Sequence, residues 1–151
     1  MSQMSCRYIA LPRRTLPSQH ASKFSLTLHV LLLPNHLFVV SHLLIKSKVS
    51  RNPVSRRTNK STEGVTAEDA IAELTEYAAK INAEGCTEDV FSKYCKERSD
   101  CGSFQNGGDL GMFGPGAMQK QFEDGTKATP VGKMSDIVQS DSGHHLIFRT
   151  A

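Results

Sequence analysis

The 151-residue chain is long enough for one domain, or for one domain with a tail, and its 38% hydrophobic and 22% charged residues suit an ordinary globular core. The net charge of +3 hides an asymmetry: residues 1–62 carry ten Lys or Arg and no acid (+10), whereas residues 63–151 carry eight basic and fifteen acidic residues (−7). None of the four cysteines forms a C-x-x-C pair, so the sequence does not support a zinc ribbon or a thioredoxin-type site, and we interpret the cysteines as reduced thiols of an intracellular protein.

Residues 1–36 contain no acidic residue and several Arg, Lys, Ser and Thr. This composition resembles a mitochondrial transit peptide, but it also suits a disordered extension that is not needed for function, which is the interpretation we favour. The apolar run 24–40 has 17 residues, and His29, Pro34, Asn35 and His36 interrupt it. Because this length is at the lower limit for crossing a bilayer, we do not predict a transmembrane helix.

The next segments predict a strand, a loop and two helices. LFVVSHLLIK (37–46) has the aliphatic and β-branched pattern of a buried strand, and the polar, basic residues 47–64 predict a long loop. Residues 65–85 predict a helix with Thr66 as N-cap, Asp69 completing a capping box and Gly85 at C′. Its apolar stripe is Ile71, Leu74, Ala78 and Ile81. A second helix is predicted from Thr87, with an apolar face of Val90, Phe91, Tyr94 and Cys95.

The C-terminal part predicts short strands around a glycine-rich loop. A strand is expected at 109–113, a short helix from Met118 to Asp124 that ends at Gly125, and two strands near 136–139 and 144–150. Residues 141–143 read as the hairpin turn between the last two strands. Strand, helices and then strands indicate an α+β fold with an antiparallel sheet.

Two histidines and one cysteine are candidates for chemistry. His42 and His145 lie in predicted strands, where a lone histidine is more often a hydrogen-bonded core residue than a catalyst. Two such histidines on one sheet face with a thiol nearby would instead form a candidate site. Cys101 is that thiol, and it reads as a small buried hydrophobe, a polarised thiol, or the nucleophile of a Cys–His hydrolase. The sequence shows no oxyanion device or orienting acid for the last of these.

The basic stretch 46–60 contains six Lys or Arg and no acid. It reads as a solvated loop, a non-specific nucleic-acid patch or a phosphate clamp. No aromatic residues are interleaved with the charges, so base stacking has little support. Met118 and Phe122 are four residues apart on one predicted helix face, and with Leu110 they either pack in the core or line an apolar pocket.

Six motifs occur in the order and spacing of one family. They are SHLLIK (41–46), SRNP (50–53), SDCGS (99–103), GGDLGMF (107–113), GAMQKQFED (116–124) and DSGHHLIFRT (141–150). Together they resemble the parvulins, a family of peptidyl-prolyl cis/trans isomerases, and most of all the branch that acts on phosphoserine- or phosphothreonine-proline bonds. The likeness covers residues 37–151, so residues 1–36 are interpreted as an extension.

The resemblance implies a four-stranded antiparallel sheet surrounded by helices. It implies catalytic roles for His42, Cys101, Ser142 and His145. It implies substrate-binding roles for Lys46, Arg51, Leu110, Met118, Gln119, Phe122 and Ser140. Within the second group, Lys46 and Arg51 match phosphate-binding cations, whereas Leu110, Met118 and Phe122 match the pocket for the proline ring.

The chain departs from the family pattern at several positions. The phosphate loop of that branch carries two adjacent arginines, and here Asn52 takes the second place, with Arg56 and Arg57 as candidates to compensate. Ser140 stands for a threonine and Gln121 for a proline. The sequence contains no Trp, so we expect it to lack the tryptophan-containing WW module of many relatives.

The expected function is isomerisation of X-Pro bonds, with a preference for phosphorylated substrates, by noncovalent stabilisation of the twisted amide. The alternative is a phosphopeptide-binding module with little catalysis. No metal or organic cofactor is expected, and neither nucleic acid nor membrane is an expected partner. We expect a monomer in the cytoplasm and nucleus, or in the mitochondrion if residues 1–36 act as a transit peptide.

Overall fold

The computed structural model describes residues 37–151, and the predictions for residues 1–36 lie outside this range. Three α-helices and five strands follow one another along the chain. They are β1 (Phe38–Ile45), α1 (Ala67–Ala83), α2 (Glu88–Arg98), β2 (Asp109–Phe113), α3 (Lys120–Ala128), β3 (Lys133–Met134), β4 (Val138–Ser140) and β5 (Gly143–Arg149). A 3₁₀ turn at Gly102–Asn106 joins α2 to β2. No helix within residues 37–151 is long and apolar enough to cross a bilayer.

The strands form one antiparallel sheet in the order β2-β1-β5-β3, and β4 also pairs with β5. Both β3 and β4 lie along the same edge of β5, because Lys133 pairs with Arg149 and Val138 pairs with His145. The predicted α+β fold with an antiparallel sheet is therefore confirmed, and two short strands share its fourth position. The sequence did not predict β3, which has only two residues.

Residues of β1 and β5 that face each other across the ladder point to the same side of the sheet. Leu43 pairs with Leu146, and both belong to a core that α1 and α2 cover. The register also pairs Leu44 with His145, and these two lie on the opposite face. That face carries a smaller apolar cluster, whose buried members are Phe38, Val40, Phe113, Phe122 and Ile147.

The predicted starts of α1 and α2 agree with the structure, but half of the predicted apolar stripe of α1 differs. Thr66 and Asp69 form the capping box, and Gly85 adopts a φ of +99° just after the helix. Ile71 is 41% exposed, so its assignment to the buried stripe was wrong. The buried residues are Ala70, Leu74, Tyr77 and Ile81, so Leu74 and Ile81 are confirmed, whereas Ala70 and Tyr77 are buried in place of Ile71 and the partly buried Ala78.

Helix α3 differs from its prediction at both ends. It begins at Lys120, two residues after Met118, and it continues through Gly125 to Ala128. A Cβ on Gly125 would lie 2.6 Å from Cγ2 of Val138, so this glycine permits close packing of α3 on β4 rather than ending the helix. The helix stops at Thr129, whose hydroxyl donates to the carbonyl of Gly125 at 2.7 Å.

The glycine-rich loop also packs closely against β1. Gly108 has a φ of +84°, and a Cβ there would lie 2.5 Å from the carbonyl oxygen of His42. The amide of His42 donates to the carbonyl of Gly108 at 2.9 Å. Gly108 therefore lets the loop pack directly on the part of β1 that carries His42.

Candidate active site

His42 and His145 come from neighbouring strands and are buried side by side. Their Nδ1 atoms are 3.1 Å apart, and the rings stack with centroids separated by 5.3 Å. A neutral imidazole has one N–H, so one Nδ1 donates and the other accepts. Burial, together with the neighbouring His42 and His144, lowers the pKa of His145 well below its ordinary value, which keeps this ring neutral.

Ser140 extends the histidine pair into a short chain of hydrogen bonds. Its hydroxyl lies 2.8 Å from Nε2 of His145, and the same oxygen accepts from the amide of Ser142 at 3.2 Å. A hydroxyl both donates and accepts, so Ser140 can match either tautomer of His145. The β4–β5 turn thus fixes the orientation of a ring that is carried by β5.

Phe122 packs edge-on against both histidines. Its ring centroid is 5.6 Å from that of His42 and 5.1 Å from that of His145, with interplanar angles of 88° and 72°. Aromatic pairs favour this arrangement because the positive ring edge meets the negative ring face. Phe122 is also buried, so α3 is held against the histidine face of the sheet.

A cavity of about 490 Å³ opens on this face. Its lining is His42, Leu44, Arg51, Cys101, Leu110, Ala117, Met118, Gln119, Phe122, Ser140, Ser142 and His145. With the exception of Lys46, every residue that the sequence placed in the site lines this cavity. Met118 reaches it from the segment that precedes α3, so the helix-face argument for pairing Met118 with Phe122 was wrong although both line the cavity.

Cys101 lies at the rim, directly before the 3₁₀ turn. Burial raises the pKa of its thiol, but contacts with His42 and Ser103 outweigh burial, and the resulting pKa is about 6. Nε2 of His42 and the Ser103 hydroxyl are buried without another hydrogen-bond partner, so both are available to the sulfur. At neutral pH Cys101 is therefore largely a thiolate.

The neighbouring Asp100 does not orient a histidine. Its carboxylate accepts from the amide of Lys46 at 3.0 Å and from Arg98 at 2.9 Å. The partners of His145 are instead His42 and Ser140. A Cys–His–Asp hydrolase, which needs a carboxylate on the histidine, thus finds no support in this geometry.

A second cavity of about 280 Å³ adjoins the first. Its lining is Leu44, Lys46, Arg51, Asn52, Arg56, Cys101 and Ser142. Four of these residues, Leu44, Arg51, Cys101 and Ser142, line both cavities. The first cavity, whose wall includes Leu110, Met118 and Phe122, is called the apolar cavity, and the second, which Lys46 and Arg56 line, is called the cationic cavity.

Lys46 lines only the second cavity, and it also supports the loop that follows β1. Its ammonium group donates to the carbonyls of Asn52 at 2.9 Å and Val54 at 2.8 Å. Burial and the charge of Arg56 lower the pKa of Lys46. Two of its three protons are thus engaged by the protein, which fixes the direction of the third.

Sequence reasoning missed three residues that shape the site. Leu44 lines both cavities, and it was named only as a strand residue. Ser103 contacts the Cys101 thiol. Glu123 accepts from the amides of Gly116 at 2.7 Å and Met118 at 3.1 Å, which positions the segment carrying Met118. Of these three residues, only Glu123 had a signal in the sequence. It is an acid in the first turn of a helix, where such residues often accept hydrogen bonds from the preceding backbone amides.

Within residues 37–151, no group of three or more His, Cys, Asp or Glu side chains has the arrangement of a metal site.

A family model for rotamases, the PPIC-type PPIase domain, matches residues 42–151. The peptidyl-prolyl cis-trans isomerase ESS1 of Saccharomyces cerevisiae is 45% identical over 108 residues, which are 72% of this chain and 62% of that protein. The peptidyl-prolyl cis-trans isomerase Pin1 of Arabidopsis thaliana is 44% identical over 117 residues, covering 74% of this chain and 92% of that one.

Solved structures agree with these matches. The solution structure of TbPIN1 has 50% sequence identity and a TM-score of 0.67, and the alignment covers 76% of this chain and 97% of that one. The isomerase ESS1 of Candida albicans has 35% identity and a TM-score of 0.69, with 76% and 63% covered.

Proposed function

Because the chain belongs to the family of PPIC-type peptidyl-prolyl cis/trans isomerases, the parvulins, we propose that it isomerises X-Pro bonds and prefers those preceded by phosphoserine or phosphothreonine. The observation that carries this proposal is the junction of an apolar and a cationic cavity at Leu44, Arg51, Cys101 and Ser142. Consecutive Cα atoms are about 3.8 Å apart, so a proline ring and the phosphorylated residue before it require adjoining cavities.

Rotation about a peptide bond is opposed by a barrier of about 18–20 kcal/mol that arises from amide resonance. No bond has to break, so the enzyme must bind the twisted amide more tightly than either planar isomer. Leu110, Met118 and Phe122 form the apolar wall that holds the proline ring while the rest of the peptide turns. Exclusion of water there also disfavours the charge-separated resonance form that stiffens the amide.

The role we assign to Cys101 is electrostatic. Its pKa of about 6 provides a thiolate at neutral pH at the junction of the two cavities. A negative sulfur beside the substrate carbonyl opposes the negative charge that resonance places on the oxygen. This weakens the double-bond character of the C–N bond without a covalent intermediate.

The histidine pair and Ser140 serve as a preformed support. His42 and His145 are locked by their mutual hydrogen bond, by stacking and by Phe122. Such a rigid polar surface presents fixed dipoles to the amide and does not reorganise during rotation. His42 also keeps the thiolate of Cys101 ionised.

The competing function is a phosphopeptide-binding module with little catalysis. The cationic cavity alone would serve such a module. The buried histidine pair lines the apolar cavity and not the cationic one, and a phosphate site has no evident use for the negative thiolate of Cys101 beside it. Perturbed pKa values of this kind cluster at catalytic sites, which favours the enzyme.

The test compares kcat/KM for matched pSer-Pro, Glu-Pro and Ala-Pro peptides in a coupled isomerisation assay. A phosphate carries about −1.5 to −2 charges at neutral pH, so the pSer-Pro peptide is expected to be the best substrate. Arg51→Ala should lower kcat/KM for it about ten- to a hundredfold, since charge-assisted hydrogen bonds contribute about 1.5–3 kcal/mol each. The loss on Glu-Pro should be smaller.

Absence of isomerisation in the presence of phosphopeptide binding would favour the binding module. Equal rates for the three peptides would identify an isomerase of general specificity. High salt should weaken the preference, because Arg51 is exposed and its charge is screened.

We further propose that the protein acts as a monomer on phosphorylated proteins in the cytoplasm and nucleus. The support is the single folded unit with a complete set of site residues within residues 37–151. The basic, acid-free residues 1–36 favour a mitochondrial location as the alternative. Light scattering and the location of fluorescent fusions with and without residues 1–36 test these points.

A further inference from the structure

The cationic cavity contains three basic side chains, and none of them forms an ion pair with a carboxylate of the described residues. Lys46, Arg51 and Arg56 all line it. The ion pairs among residues 37–151 use other cations. Three cations around one cavity exceed the single negative charge of the Cys101 thiolate that also lines it, and this excess of positive charge favours binding of an anion.

Contacts with neighbouring segments hold Arg56 in position. Its amide donates to the carbonyl of Asp100 at 3.0 Å, which ties it to the segment that carries Cys101. The loop itself closes through a β-bridge between Val54 and Ser61. A Cβ on Gly102 would lie 3.5 Å from Cδ of Arg56, so the arginine side chain runs alongside the start of the 3₁₀ turn.

The neighbouring Arg57 differs from Arg56. It does not line the cavity, and its Nε is buried without a hydrogen-bond partner. The charge of Arg56 also lowers the pKa of Lys46 more than the charge of Arg51 does. Of the two arginines that follow Asn52, only Arg56 has its charge at the cavity.

Asn52 lines the same cavity but contributes no charge. Its carbonyl accepts from the ammonium group of Lys46. The phosphate loop therefore offers an arginine at position 51, a neutral amide at position 52 and a second arginine at position 56. The latter returns to the cavity because the loop folds back on itself.

We propose that Arg56 is a specificity-determining residue that supplies the second guanidinium of the phosphate site, in place of an arginine at position 52. This rests on the phosphopeptide preference proposed above. The phosphate lies between Arg51 and Arg56, with Lys46 behind it. In this arrangement Arg56 contacts the phosphate from the side of Cys101. The hydrogen bond from its amide to the Asp100 carbonyl holds it in position there.

The experiment measures kcat/KM for pSer-Pro and Ala-Pro peptides with four full-length proteins: unmutated, Arg56→Gln, Lys60→Gln, and Asn52→Arg combined with Arg56→Gln. Lys60 is the matched control, because it is an exposed cation of the same loop that does not line the cavity. Arg56→Gln should lower the pSer-Pro to Ala-Pro ratio about three- to tenfold, a range set by the exposure of its side chain. Lys60→Gln should leave the ratio within about twofold.

The double variant tests whether the role is one of charge at this cavity. Arginine at position 52 should restore most of the ratio that Arg56→Gln removes. Failure to restore it, or an equal effect of Arg56→Gln and Lys60→Gln, would overturn the assignment. Ala-Pro activity reports on folding, and Arg56→Lys, which keeps the charge, should retain an intermediate ratio if the glutamine variant is unstable.

The unmutated protein separates the two proposals. A high pSer-Pro to Ala-Pro ratio that Arg56→Gln does not change leaves the phosphopeptide preference standing and removes Arg56 from it. A ratio near one in the unmutated protein contradicts both.

Discussion

The two faces of the central strand pair differ in how completely they are covered. Leu43 and Leu44 are adjacent in β1, and both are almost fully buried, at 0% and 3% exposure. Leu43 packs in the core beneath α1 and α2. Leu44 lies on the other face, where it lines both cavities beside His145 and Cys101.

This difference shows that burial alone does not reveal what a residue does. Two helices close one face of the sheet over the larger apolar core. Among residues 37–151, α3 and the glycine-rich loop cover the other face, and their cover leaves a cavity whose lining includes buried polar groups. The same two strands thus provide the stability of the fold on one side and a rigid surface for chemistry on the other.

The largest effect is expected from alanine substitutions of Leu43 and Leu44, which lie on opposite faces of β1. Leu43→Ala should lower the free energy of unfolding by about 2–5 kcal/mol, as expected for a leucine in a closed core. Below its melting temperature it should keep kcat/KM within about threefold, because Leu43 touches neither cavity. Leu44→Ala should cost less stability, since it enlarges a space that is already open, and should lose more activity.

Chemical denaturation and the isomerisation assay on both variants give the two quantities. If Leu43→Ala reduced activity more than Leu44→Ala did at a temperature where both are folded, the division of roles between the faces would be wrong.

Substitutions of Cys101 test the chemistry of the sheet face that carries the two cavities. Cys101→Asp keeps a negative side chain that cannot form a thioester, so it should retain much more activity than Cys101→Ala. We expect the alanine variant to lose about a hundredfold in kcat/KM, equivalent to about 2.7 kcal/mol of transition-state stabilisation. Equal and complete loss in both variants would instead point to covalent chemistry at the sulfur.

The pH dependence should follow the same thiol. Its folded-state pKa is lowered to about 6, so the thiolate is present above this pH and is lost as the pH falls through it. kcat/KM for an Ala-Pro peptide should therefore decrease below a pH of about 6, whereas Cys101→Asp should remain flat to about pH 5. Ala-Pro is chosen because a phosphate also titrates at about 6.

Alkylation supplies an independent measurement of this pKa. The rate of reaction of Cys101 with iodoacetamide should rise with a midpoint at a pH of about 6. A midpoint at the ordinary thiol value, about 8.5, would show that His42 does not lower the pKa of Cys101.

The smallest expected effect concerns residues 1–34. The family model begins at residue 42, and the strands and helices that form the two faces in the described part of the chain begin at Phe38. A chain that begins at Asn35 should therefore keep the melting temperature of the full chain. Its kcat/KM should stay within about twofold of the full chain's value. A large drop in either would assign residues 1–34 to the folded domain.

The sequence predicted most elements of the fold because their signals are local. The run of aliphatic and β-branched residues in β1, the capping box of Thr66 and Asp69, and the turn before β5 each depend on a few neighbouring residues. The errors occurred where a distant contact decided the local structure. Gly125 continues a helix because Val138 packs against it, and β3 exists because β5 offers it an edge.

Residue types and motif spacing were sufficient to identify the family and to name the residues expected in the site. The sequence left open whether Met118 and Phe122 pack in the core or line a pocket, and which arginine compensates for Asn52. Both depend on loops whose course follows from contacts far along the chain. The carbonyl of Asp100 directs Arg56, and Glu123 holds the segment of Met118.

What the sequence determined by itself is the set of periodic elements and the identity of the polar residues, because both are properties of short segments. Only the tertiary structure decided their chemistry. His42 and His145 are separated by 103 positions, and the antiparallel register of β1 and β5 places their nitrogens 3.1 Å apart. Burial of Cys101 and its contacts with His42 and Ser103 set the pKa of its thiol, because a pKa depends on the charges, hydrogen bonds and water within a few ångströms.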